Sequence, residues 1–123
     1  MATSNQNNSQ MPNEHLHELF VDELKDILGA EKQRVVGLKK MSKAAQSEEL
    51  RQAFNDHLTQ TEGHIEGLKE VFQSLGKAAR GKKGNAMEGL LKEADEIIES
   101  FEGDPALDAA LISAAQKVEH YEI

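Results

Sequence analysis

The sequence predicts an all-α, single-domain protein built on a long antiparallel helical hairpin. Apolar residues return every three or four positions from Leu16 to Ala45 and again from Leu50 to Phe72. Glycine, proline and capping residues gather between such runs, and no stretch alternates apolar and polar residues as a strand does.

The first run places Leu16, Phe20, Leu24, Ile27, Val35, Leu38 and Ala45 on one helix face, with Asn13 after Pro12 as its expected N-cap. Gly29 and Gly37 fall inside it, where they either weaken the helix or allow close packing. Ser47 is the expected cap of the second helix, with Glu48 and Glu49 at the positive end of its dipole. Its seam is Leu50, Phe54, Leu58, Ile65, Leu68 and Phe72, ending at Gly76, and the short turn at Gln46 and Ser47 makes the two helices an antiparallel pair. Asn85 and Glu88 form an expected capping box for a short third helix carrying Leu90, Leu91, Ala94, Ile97 and Ile98, which stops at Gly103. Asp104 and Pro105 open the last helix, with Leu107, Leu111, Ala114, Val118 and Tyr121 or Glu122 inward.

A chain of 123 residues suits one small domain. It has no Cys and no Trp, which excludes disulfides and thiolate metal sites. A formal net charge of -8 opposes binding to nucleic-acid phosphates and anionic lipid, so neither nucleic acid nor membrane is an expected partner. The contrary segment, GKAARGKKG, has no aromatic residue interleaved to stack on bases and reads as a solvated loop. Residues 1–13 read as a disordered polar tail ahead of a helical domain over 14–123, without the apolar run of a signal peptide. No stretch has the length and hydropathy of a membrane span, and a cytoplasmic location is expected.

The chemical signal is a set of polar residues where the core belongs. Between Ile27 and Val35 the next inward position is Glu31, and between Leu58 and Ile65 it is Thr61, flanked by His57, Glu62 and His64. A hairpin turning at Gln46 sets Glu31 opposite residue 62, so Glu31, Thr61, Glu62 and His64 share a layer. Glu122 lies at the edge of the last helix's stripe, with Glu119 farther round. A buried carboxylate requires an opposite charge, a hydrogen-bond donor or a metal. Two readings stay open at this point: Glu31 pairs with His64 or a lysine, or the clustered Glu and His hold iron or manganese. His15, His17 and His120 are expected at the surface, Tyr121 at the core edge, and Met41 and Met87 in the packing.

Four blocks, ELFVDELKDILGAEKQ, HLTQTEGHIEGL, NAMEGL and ALISAAQKVEHYEI, in this order and spacing, resemble the ferritin-like YciE/YciF stress-protein family over residues 14 to 123. The resemblance implies a ferritin-like four-helix-bundle fold in incomplete form: a long antiparallel hairpin, a short crossover helix and a partial third bundle helix. It also implies a di-metal carboxylate site, onto which Glu31, Glu119 and Glu122 map as glutamate ligands, with Glu62 and His64 supplying the second helix. The second helix departs from the usual Glu-x-x-His, since Ile65 stands three residues after Glu62. Members of that family continue past VEHYEI with a final helix. The expectation is therefore a truncated bundle with an open apolar face, belonging either to a fragment or to a chain that pairs with itself as a homodimer.

Overall fold

Four helices form in chain order: α1 (Ala2–Ala44), α2 (Glu48–Ser74), α3 (Asn85–Ser100) and α4 (Leu107–Tyr121). They are seen in a computed structural model that describes residues 2–82 and 84–121, with side chains over 14–82 and 84–120. Among the described residues there is no strand. The helix α1 is drawn from Ala2, upstream of the expected cap at Asn13, and the side chains of the expected polar tail lie outside the description.

The turn between α1 and α2 forms where capping chemistry places it. Ser47 is the N-cap of α2, and its hydroxyl accepts from the Leu50 amide at 3.3 Å. The neighbouring amides of Gln46 and Ser47 both donate, at 2.8 Å, to the carboxylate of Asp108 in the first turn of α4. One side chain therefore ties the hairpin turn to the start of the last helix. Gly76, with φ of 68°, closes α2 in the left-handed conformation that glycine adopts without steric cost.

Two helix starts differ from expectation. The N-cap of α3 is Gly84, without a side-chain hydrogen bond, and Asn85 is already helical. The capping box at Asn85 and Glu88 therefore does not form, because the Asn85 side chain stands one position past the cap. Asp104 accepts from the amide of Ala106 at 2.8 Å in a turn that delays α4 to Leu107.

The core has two parts. One end joins Leu38, Met41, Ala45 and Phe54 of the hairpin to Leu107 and Leu111 of α4, with Ile97, Ile98 and Phe101 against them. The other joins Val21, Leu24 and Leu28 of α1 to Ile65 and Phe72 of α2, with Leu68, Leu75 and Ala79 alongside. The inward face of α1 in this second part thus runs through Val21, Leu24 and Leu28. Leu16, Phe20 and Ile27, expected in the seam, are 62%, 51% and 47% exposed. The apolar arc of α1 is wider than α2 alone covers, and α3 and α4 reach only its later turns.

The glycines of α1 serve close approach. A Cβ on Gly29 would fall 1.7 Å from the Lys82 carbonyl oxygen, and one on Gly37 would fall 2.5 Å from a methyl of Leu91. The loop after α2 crosses α1 at Gly29, where the Lys82 amide donates to the Lys25 carbonyl at 3.0 Å and its ammonium lies 3.3 Å from Asp22.

Candidate functional site

The polar layer lies between the two core parts. Glu31 is 7% exposed and Thr61 only 1%. The Thr61 hydroxyl donates to the His57 carbonyl at 2.8 Å, one turn back on α2, which satisfies it inside its own helix. Glu31 projects across to α2, and its Oε2 is 3.1 Å from Nδ1 of His64. With a proton on Nδ1 this contact is a hydrogen bond in either charge state of the ring. The register matches expectation to within part of a turn.

The second partner of Glu31 is on its own helix. Arg34, one turn later and largely buried, sets one guanidinium nitrogen 3.9 Å from Glu31 Oε1. Its other terminal nitrogen donates to Glu119 Oε1 of α4 at 3.0 Å. The same Glu119 oxygen is 3.4 Å from Nδ1 of His57. One fixed cation thus links a carboxylate of α1 to a carboxylate of α4, and each carboxylate also meets an imidazole of α2. The charge that burial imposes on Glu31 is compensated within the chain. Beside this cluster a cleft of about 180 Å³ opens between α2 and α4, with Phe54, Ile112 and Ala115 in its walls.

The five expected ligands fare differently. Glu31 and His64 meet, and among the described residues Glu119 is linked to Glu31 through Arg34. Glu62 is exposed on the solvent side of α2 and does not enter the layer. Glu122 lies outside the described residues. Among the described residues no three His, Asp or Glu side chains gather in a way that could hold a metal ion. The donor set as placed does not fit an iron or manganese pair, because a guanidinium stands between the carboxylates such a pair would bridge.

Sequence reasoning missed Arg34, and placed His57 beside Thr61 without assigning it a partner. The signal for Arg34 was present in its spacing of three residues from Glu31, which sets opposite charges on adjacent turns. The expected surface position of His120 and the buried positions of Met41 and Met87 are as anticipated.

The family model described as a domain of unknown function, DUF892, matches residues 15–123. Protein YciF of Escherichia coli K12 is 47% identical over 109 residues, which are 88% of this chain and 66% of YciF. The chain therefore spans just under two thirds of that relative's length. Among solved structures, YcfI of Rhodopseudomonas palustris superposes with a TM-score of 0.79 at 40% identity, covering 86% of this chain and 68% of YcfI.

Proposed function

The chain belongs to the DUF892 family, that of YciF, and from this premise we propose that it is a non-enzymatic helical association module whose open α1 face pairs with a second copy. The observation that carries the reading is the row of Leu16, Leu19, Phe20 and Ile27, large apolar side chains exposed together on one side of one helix. Scattered apolar residues are ordinary on a surface, but four at helical spacing gather on one side, with Glu23 the charged residue among them. In an antiparallel arrangement about a two-fold axis such a stripe is its own complement, with the region of Leu16 meeting that of Ile27. No helix among the described residues is long and apolar enough to cross a membrane, so the stripe is not part of such a span.

Sedimentation velocity at several concentrations tests this. The wild type is expected to dimerise, and Phe20→Glu to sediment as a monomer with unchanged helical circular dichroism, since Phe20 is absent from both core clusters. A wild type that stays monomeric at every concentration rules the reading out.

A further inference from the structure

We infer that Arg34 is a resident cation that takes the place of a metal ion between Glu31 and Glu119, making the polar layer a metal-independent clasp between α1 and α4. The placement is specific. Arg34 reaches Glu119 at 3.0 Å and Glu31 at 3.9 Å, and its side chain is 14% exposed, so the guanidinium is inside the layer. Guanidinium keeps its charge throughout the accessible pH range and offers only donors. It cannot ligate a metal, and it cannot shed its proton to make room for one. A divalent ion placed between Glu31 and Glu119 would face a positive charge held covalently in the same slot. For that ion to bind, Arg34 would have to give up both carboxylates and leave the interior.

The surroundings are consistent with a clasp. His64 meets Glu31 at 3.1 Å and His57 meets Glu119 at 3.4 Å, so α2 supports each end of the bridge. The order of elements is therefore carboxylate from α1, guanidinium, carboxylate from α4, with the two imidazoles of α2 at the flanks. The Glu31 side chain is 9% exposed, whereas Glu119, His57 and His64 are 49%, 45% and 65% exposed, so the guanidinium closes the buried end of the layer while the flanks meet solvent. A metal-independent clasp therefore predicts that the fold depends on the guanidinium and not on an added metal, since no three described His, Asp or Glu side chains gather to hold one.

The test is thermal unfolding of EDTA-stripped full-length protein titrated with Mn(II) or Zn(II), for the wild type, Arg34→Lys and Arg34→Ala. The wild-type and Arg34→Lys midpoints are expected to be unmoved by either metal. Arg34→Ala is expected to unfold at a lower temperature with or without metal, and Arg34→Ala/Glu31→Gln to recover part of that loss, because the buried carboxylate left without its cation is then neutral. A saturable shift in the wild type that Glu31→Gln abolishes overturns the inference, as does an Arg34→Ala midpoint equal to that of the wild type. If Arg34→Ala does not fold, the wild type and Arg34→Lys decide alone: silence toward metal supports the clasp, and Glu31-dependent binding overturns it.

Discussion

Along its later turns α1 keeps a second apolar face beneath α3 and α4, where Leu38 and Met41 pack with Leu107 and Leu111. Along its earlier turns the same face leaves Leu16, Leu19, Phe20 and Ile27 in solvent. At 100° per residue, Leu16, Phe20, Ile27, Arg34, Leu38 and Met41 all fall within an arc of about 60°, interrupted by Glu23, so the two regions share one side of the helix with different neighbours. Arg34 stands where covered stripe gives way to uncovered stripe. The difference teaches that amphipathic period fixes which side of a helix is apolar, while the reach of the other helices decides how much of that side is core.

Truncating one apolar side chain at each end gives the largest contrast. Leu111 is wholly buried in the covered end, so Leu111→Ala is expected to cost ~2–5 kcal/mol in urea unfolding, from lost burial plus a cavity. Leu19→Ala, at the uncovered end, is expected to change the stability of the monomer by less than ~0.5 kcal/mol, as for surface substitutions generally. Equal losses in dilute protein would mean that the early turns of α1 are as well covered as the late ones.

The same contrast explains what the sequence revealed. The helices, the turn at Ser47 and the inward aim of Glu31 all follow from local period and capping, which act over a few residues. The shared depth of Glu31 and His64 followed too, because a short turn sets hairpin register, although their direct pairing was one of two open readings. The exposed positions of Leu16, Phe20 and Ile27 did not, since period carries no information about where a distant helix stops. Nor did the partners of Arg34 and Asp108, which lie on other helices many residues away. In the window around Glu31, Arg34 reads as one charged residue among several. Glu62 misled for a related reason: its neighbour Thr61 is inward, and one residue of rotation carries Glu62 to the solvent side.

Gly29 sharpens the comparison at the uncovered end, because there the loop after α2 takes over part of the covering that helices provide elsewhere. Alanine is the better helix former by about 1 kcal/mol. Yet its Cβ would sit 1.7 Å from the Lys82 carbonyl oxygen, and the obstacle is backbone with no flexible side-chain end to swing away. The clash outweighs the propensity. Gly29→Ala is expected to lose ~1–3 kcal/mol, as overpacked sites do, and to speed hydrogen exchange at the Lys82 amide, whose bond to the Lys25 carbonyl must break as the loop lifts. A more stable Gly29→Ala protein would show that the loop does not lie on α1.

The smallest expected effect belongs to the covered end. Asp108 accepts from the Gln46 and Ser47 amides at 2.8 Å each, so its carboxylate does for the hairpin turn what a capping residue does for one helix. Its negative charge also lies in the first turn of α4, where the helix dipole favours it. All three residues are at or near the surface, so water replaces the lost acceptor in Asp108→Ala and the cost is expected to be about 1 kcal/mol. Asp108→Asn keeps one acceptor oxygen and should lose less. Neither variant touches the open stripe of α1, so dimerisation should be unchanged when both are sedimented beside Phe20→Glu. Loss of the dimer in Asp108→Ala without loss of folding would instead mean that the covered end, through the α1–α2 turn, takes part in pairing.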